Sequence, residues 1–215
     1  MEKGEAPFDG VSLLLISHDH TDHYSPQSTI RFLQGHPKAV LVTTGEVRDR
    51  LKTIAGFDAV AARIVAPDLA WKQSLIQKVN GLNLEIDRLK HGDDKKWACQ
   101  LDAFVFTLGG KKVLYATATS GYFPEEYTDL NYAKRSFDLA FVNYYVAVKK
   151  AKGDQPASLK PDGIAKIKDL IAAKNTVLMH IEGGAQPSVD AVMGELQAQL
   201  PGATVFKSEL ESRTY

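Results

Sequence analysis

The sequence is most informative at His18-Asp19-His20-Thr21-Asp22-His23, which directly follows an apolar run at residues 11–16. Side chains two residues apart in an extended segment share a face, so His18 and His20 can bind the same metal ion. Asp22 and His23 lie past a turn and can reach a second ion. Zinc takes imidazole nitrogen and carboxylate oxygen as ligands. The pattern H-x-H-x-D-H therefore predicts a metal site at the end of a buried strand.

Length and charge limit the classes of function. The chain has 215 residues, enough for one large domain with a substantial core, and we expect a single domain over 1–215. It carries 26 basic and 26 acidic residues, so its formal charge is zero. A balanced charge argues against nucleic acid as a partner. The single cysteine, Cys99, excludes an internal disulfide, and we expect it to be a small apolar filler beside Trp97.

We expect no membrane span, because no stretch approaches the roughly 18 apolar residues that a spanning helix needs. The first ten residues are polar, so we expect no signal peptide in the chain as given. We therefore expect a cytoplasmic protein, or a periplasmic or secreted one if an amino-terminal segment precedes it.

Local patterns predict a mixed α/β fold. Asn80-Gly81 and Gly109-Gly110 each separate two apolar segments and indicate tight hairpins. The last third alternates strands with amphipathic helices, and 149–161 is expected to be a surface loop. Strands are predicted at 11–16, 39–43, 62–66, 73–79, 82–90, 101–108, 112–117, 137–143, 176–179 and 204–206, and helices at 26–33, 46–54, 161–173 and 187–200.

Three further histidines lie outside the opening motif. His91 and His180 each follow a predicted strand, where a site at a loop rim collects its ligands; taken alone, each could equally be an ordinary structural residue. His36, in Gly35-His36-Pro37, is expected to lie in a surface turn.

From His18 onward the sequence resembles the metallo-β-lactamase-fold hydrolases, especially their lactonase- and phospholipase-like branch. Beyond the H-x-H-x-D-H motif, Leu89-Lys90-His91-Gly92 matches the family's third histidine at the end of a hairpin strand. A later strand that begins with aspartate is matched at Asp138, and a final strand that ends in histidine is matched by Val177-Leu178-Met179-His180. The resemblance implies a four-layer αββα sandwich with a dinuclear metal site at one rim.

The resemblance also implies the ligands. His18, His20 and His91 would hold the first ion, and Asp22, His23 and His180 the second. One or two zinc ions are expected per chain, with Mn²⁺, Fe²⁺ or Ni²⁺ as alternatives because nitrogen and oxygen ligands suit several divalent ions.

The sequence departs from the family pattern in two places. At Ala118 the family carries a carboxylate that bridges the two ions, and alanine has no donor atom; the residue is either natural or an Asp→Ala substitution. Only seventeen residues precede His18, whereas related chains have several strands there. The first sheet is therefore expected to lack strands and to expose an edge, which indicates either a shortened chain or an edge covered by another copy in a homo-oligomer.

The expected function is metal-dependent hydrolysis of an ester, lactone or phosphodiester by a metal-bound hydroxide, with turnover reduced by Ala118. Asp22 would orient the water and take part in proton transfer. Tyr24, Tyr122 and Tyr144 are candidates to line the pocket for a small-molecule substrate, although packing at a loop rim explains them equally well. The alternative is a non-catalytic protein that binds a metal or a ligand.

Overall fold

The computed structural model describes residues 5–92, 98–116, 123–181, 186–206 and 211–215. The chain divides into two compact units, residues 1–102 and 103–215. Both units contain strands and helices, so the expected mixed α/β fold class is confirmed. Within the described residues, no helix is both long enough and apolar enough to cross a membrane.

The first unit opens with a parallel sheet in the order β1-β2-β3, formed by Leu13–Ile16, Val40–Thr43 and Ile64–Val65. Helix α1 (Pro26–Gly35) joins β1 to β2, and α2 (Gly45–Leu51) follows β2. Ser25 and Thr44 cap these helices by accepting hydrogen bonds from backbone N–H groups of the first turn. Short 3₁₀ segments at Phe57–Ala59 and Ala61–Arg63 lead into β3. Among the described residues β1 pairs only with β2, as expected of an edge strand.

The first unit also contains the predicted hairpin. Strands β4 (Ser74–Val79) and β5 (Leu82–Lys90) pair antiparallel across Asn80-Gly81. Both turn residues have positive φ, 47° and 85°, which is the conformation that a type I′ turn requires. The Asn80 amide donates to the backbone oxygens of Ser12 and Lys38, which ties the turn to the strands around β1. The hairpin thereby fixes the position of His91 at the end of β5.

His36 corrects one expectation, because it is buried and not exposed in a surface turn. Its exposed fraction is 4%, and its two ring nitrogens face the backbone oxygens of Phe32 and Phe8 at 2.8 and 3.0 Å. An N–H of the imidazole can donate to either carbonyl oxygen, and the ring thus lies between helix α1 and the amino-terminal segment. No local pattern in Gly35-His36-Pro37 carries that information.

Strand β6 (Gln100–Leu108) contains the boundary between the two units. In the second unit the strand order is β12-β11-β8-β7-β6. Neighbouring strands in this order are parallel from β12 to β7, whereas β7 and β6 pair antiparallel. The bounds of these strands are Lys111–Ala116 for β7, Leu139–Asn143 for β8, Asn175–Met179 for β11 and Ala203–Thr204 for β12.

Three helices and a small hairpin complete the second unit. The helices are α3 (Pro124–Asp129), α4 (Pro161–Ala165) and α5 (Gln186–Gln199), with 3₁₀ turns at Tyr132–Lys134 and Tyr144–Val146. The helix expected over 161–173 is regular only in α4 and continues as a π-helix over Lys166–Ile171. The expected loop at 149–161 contains most of a short antiparallel pair, β9 (Val148–Lys149) with β10 (Ser158–Leu159).

A buried ion pair connects β5 to the start of β6. Arg88 Nε lies 2.7 Å from an oxygen of Asp102, and both side chains are almost fully buried. The guanidinium also donates to the backbone oxygens of Leu69 and Pro67. Burial raises the pKa of Asp102 to about 6, and the contact with Arg88 acts in the opposite direction. The carboxyl is therefore ionised at neutral pH and depends on Arg88 for its counter-charge.

We predict that Arg88→Met lowers the free energy of unfolding by about 3–5 kcal/mol at neutral pH, because a buried carboxylate loses its partner. Without Arg88 the pKa of Asp102 rises further above about 6, so the folded variant takes up a proton at a higher pH than the unchanged protein does, and the deficit shrinks as the pH falls toward about 6. Denaturant unfolding across this pH range measures both effects. Arg48→Met, at a solvent-exposed pair with Asp49, is the control and should change stability by less than about 0.5 kcal/mol. Equal losses in the two variants would contradict the assignment.

Candidate metal centre

The motif begins where β1 ends, and its backbone is held on both sides. The backbone oxygen of Ile16 accepts a hydrogen bond from the Thr43 hydroxyl at 2.8 Å. The next carbonyl, that of Ser17, accepts from the backbone N–H of Asp102 at 2.8 Å. His18 follows at once and is fully buried. Hydrogen bonds from Thr43 of β2 and from Asp102 of the buried ion pair therefore fix the backbone that leads to His18.

His18 and His20 turn their rings toward each other. His18 Nε2 lies 3.2 Å from His20 Nδ1. Two nitrogens bound tetrahedrally to one zinc ion, at about 2.0–2.1 Å each, lie about 3.4 Å apart. At this separation two lone pairs repel each other unless a proton or a cation lies between them. The spacing fits two ligands of one divalent ion.

His91 joins the same group from the end of β5. Its ring centroid lies 4.6 Å from that of His18 and 4.4 Å from that of His20. One ligand atom from each of the three rings lies within 4.8 Å of the other two. The first unit thus brings together the three histidines predicted for the first ion, which we refer to as the histidine triad.

Asp22 and His23 adjoin the triad. The backbone N–H of His23 donates to the oxygen of His20, which closes the turn between the two halves of the motif. The His23 ring centroid lies 4.2 Å from that of His18, and its Nε2 lies 3.7 Å from an oxygen of Asp22. The Asp22 side chain is 62% exposed, whereas that of His23 is 17% exposed. Asp22 therefore presents a carboxylate to solvent beside the histidines.

Asp19 lies between the first two histidines, and its side chain connects the motif to Tyr24 and Arg50. One of its carboxylate oxygens accepts from the Tyr24 hydroxyl at 2.5 Å and lies 3.0 Å from Arg50 Nε of helix α2. Burial and the bond to Asp19 together raise the pKa of Tyr24 well above its usual range, so the hydroxyl stays protonated and continues to donate. The predicted substrate residue Tyr24 is half-buried and holds the motif in place.

His180 belongs to the second unit, directly after β11. Its φ is +66°, a left-handed conformation that residues other than glycine adopt at a cost of about 1–2 kcal/mol. Its ring centroid lies 6.0 Å from that of Tyr145. A backbone held in an unfavourable conformation is typical of a functional site.

Of the predicted substrate residues, Tyr144 is fully buried and packs against Tyr145, with ring centroids 4.2 Å apart. Tyr122, and Ala118 at the position of the bridging carboxylate, lie outside the described residues, as does Trp97 beside Cys99.

The sequence did not predict two contacts of the triad. The Ser17 hydroxyl lies 2.9 Å from His18 Nδ1, and Cys99 Sγ lies 3.7 Å from His20 Nε2. Burial, with the nearby charge of Glu46, raises the pKa of the Cys99 thiol to about 12. Ser17 could have been suspected from its place beside the motif. Cys99 is 79 residues from His20 in the sequence, so no local spacing indicates its role.

Comparison with known proteins supports the family. The sequence matches the family described as beta-lactamase superfamily domain over residues 3–181. No curated protein matches the sequence significantly. Several solved structures, however, share the fold.

Three of these structures illustrate the range. Zinc-bound PqqB from Methylobacterium extorquens is 15% identical, with a TM-score of 0.60, and the match covers 92% of this chain and 71% of that one. A diphosphatase from the PhnP family is 18% identical, with a TM-score of 0.56, over 95% and 72% of the two chains. CmlA, a diiron β-hydroxylase from Streptomyces venezuelae, is 15% identical, with a TM-score of 0.54, over 90% of this chain and 43% of that one.

Identities this low show a shared fold and leave the reaction open. The three proteins include a diphosphatase and a hydroxylase, and the metal is zinc in PqqB and iron in CmlA. The family match, in contrast, covers most of the sequence and includes every residue of the predicted ligand set. The protein belongs to the β-lactamase superfamily and has the metallo-β-lactamase fold that the motif predicted.

Proposed function

We propose that this protein is a metal-dependent hydrolase whose first metal ion is held by His18, His20 and His91. The observation that carries the proposal is the 3.2 Å separation of His18 Nε2 from His20 Nδ1, with His91 beside both rings. Three histidines with a remaining open position are a known catalytic arrangement for zinc. Zinc is our first choice of metal, with manganese, iron and nickel as alternatives.

When bound by these residues, a divalent ion would lower the pKa of a water for attack on a carbonyl or phosphoryl centre. The residues of the chain hold and orient the reactants. We assign to Asp22 the orientation of the attacking water and the acceptance of its proton, because its carboxylate is exposed to solvent beside the histidines. His18, buried and fixed by Ser17, keeps the triad rigid during the reaction.

We further propose that Asp22, His23 and His180 bind a second ion, as the family resemblance implies. The strained backbone of His180 supports a functional role for this residue. With alanine at position 118 the second ion lacks the bridging carboxylate, so its binding is weak and turnover is reduced. We also infer that residues 1–215 act as a single domain and that a second copy covers the β1 edge.

For the substrate we propose a small ester, lactone or phosphodiester, which Tyr24 and Tyr122 would help to bind. The fold shared with a diphosphatase of the PhnP family supports the inclusion of phosphoester substrates. The second candidate function is a non-catalytic protein that binds a metal or a ligand, and the alanine at position 118 favours it.

The central test is a metal-loading and hydrolysis experiment. Protein supplied with zinc, manganese, iron or nickel should bind at least one ion per chain, measured by elemental analysis, and should cleave a generic ester, lactone or phosphodiester. We predict that His18→Ala lowers metal affinity by more than about 100-fold, beyond the effect typical of outer-shell changes, and abolishes hydrolysis. Asp22→Asn should lower kcat by about 10²–10⁴-fold, as expected for loss of a general base.

Asp58→Asn is the matched control for Asp22→Asn, because Asp58 is an exposed carboxylate in a 3₁₀ turn. It should leave both metal content and hydrolysis unchanged. Metal binding without hydrolysis of any of the three substrates would favour the non-catalytic function. Hydrolysis that persists in His18→Ala would contradict the assigned centre.

We predict that Ala118→Asp raises both the occupancy of the second ion and kcat, because an added carboxylate supplies a ligand and a negative charge between two cations. Ala118→Asn, which adds a similar volume without the charge, should give a much smaller increase. Titration with zinc followed by elemental analysis measures occupancy. Two tightly held ions in the unchanged chain would refute the proposed deficit.

His180 allows stability and metal binding to be separated. We predict that His180→Gly is about 1 kcal/mol more stable than His180→Ala, because glycine adopts positive φ without the Cβ penalty. Both variants should bind the second ion still more weakly than the unchanged chain and keep the first. Thermal unfolding without metal tests the first statement, and zinc titration tests the second. Full second-site occupancy in either variant would remove His180 from the ligand set.

A further inference from the structure

Cys99 contacts two members of the histidine triad through different atoms. Its Sγ lies 3.7 Å from His20 Nε2, and its backbone oxygen accepts a hydrogen bond from the N–H of His91 at 3.3 Å. Cys99, directly before β6, therefore touches both segments that supply triad ligands.

The ring orientation of His20 determines which of its two nitrogens contacts the sulfur of Cys99. His20 Nδ1 faces His18 across 3.2 Å, so its second nitrogen, Nε2, is the one that faces Cys99. An imidazole that offers a lone pair at Nδ1 carries its proton on Nε2, and that proton needs an acceptor. Sulfur is a weak acceptor that can fill this role. Ser17 stands in the corresponding position at Nδ1 of His18.

We propose that Cys99 is a positioning residue of the metal centre: its sulfur accepts the Nε2–H bond of His20 and so holds Nδ1 toward the ion. This inference rests on the proposed function of the triad. Histidines that bind metals usually donate their other N–H to a carboxylate, a backbone oxygen or a water, and loss of such partners typically lowers metal affinity about 10–100-fold. Here a thiol takes that place.

The rival explanation is that Cys99 is only a small apolar filler, and the two explanations predict opposite orders of substitution. A filler is replaced better by alanine than by serine, because a half-buried hydroxyl adds a polar group. A hydrogen-bond acceptor is replaced better by serine than by alanine, because only the hydroxyl can accept from Nε2–H. The order of the two variants therefore distinguishes the roles.

The first experiment measures zinc affinity by competition with a chromophoric chelator, in the full chain and without substrate. We expect Cys99→Ala to weaken zinc binding by about 10–100-fold and Cys99→Ser to remain closer to the unchanged protein. Ala98→Val is the matched control, since Ala98 is exposed and adjacent to Cys99. None of the contacts described for the triad involves Ala98. This variant should bind zinc normally. An affinity for Cys99→Ala equal to or above that of Cys99→Ser would overturn the proposal.

The second measurement does not depend on any variant. Nitrogen-15 chemical shifts of the metal-free protein report which nitrogen of His20 carries the proton. We expect the Nε2–H tautomer, and a dominant Nδ1–H tautomer would overturn the proposal. The results distinguish failure of the metal centre from failure of the role of Cys99. If the unchanged protein binds no zinc, both proposals are wrong. If it binds zinc normally but Cys99→Ala binds at least as tightly as Cys99→Ser, only the proposed role of Cys99 is wrong.

Discussion

The centre depends on one close approach, that of His18 Nε2 to His20 Nδ1 at 3.2 Å. Two lone pairs at this distance are stable only with a positive charge between them, so the motif is built for a proton or a cation. The approach is possible because β1 stops at Ile16, whose backbone oxygen accepts a hydrogen bond from Thr43, and the backbone oxygen of Ser17 accepts one from Asp102. Both the parallel sheet and the buried Arg88–Asp102 pair therefore fix the backbone from which His18 projects.

The far sides of the two rings are equally constrained. Ser17 faces one nitrogen of His18, Cys99 faces one nitrogen of His20, and Asp19 is anchored to Tyr24 and Arg50. Such contacts fix the rings before any ion binds, so less conformational entropy is lost on binding.

The sequence predicted what depends on local spacing and missed what depends on distant neighbours. The motif, the Asn80-Gly81 hairpin and the positions of His91 and His180 at strand ends follow from periodicity and turn chemistry, and the structure has these features. The burial of His36 and Tyr144 and the contact of Cys99 with His20 depend on residues that the fold brings together from elsewhere in the sequence. An apolar environment and a hydrogen-bond partner are properties of the folded chain, and one unaligned sequence contains no signal for either.

The charges of the predicted ligands explain why the two ions should not be equivalent. Five of the six ligands are neutral histidines, and Asp22 is the single carboxylate. Two divalent ions a few ångströms apart repel each other strongly in a site of low dielectric, and shared anionic ligands are what reduces that repulsion. At position 118, where the family resemblance implies a bridging carboxylate, the sequence has alanine, so in the function that we propose a second ion would bind against the charge of the first. Imidazole is a good zinc ligand without a charge of its own, so the three histidines of the triad would suffice for the first ion. The proposed activity therefore depends on the first ion more than on the second.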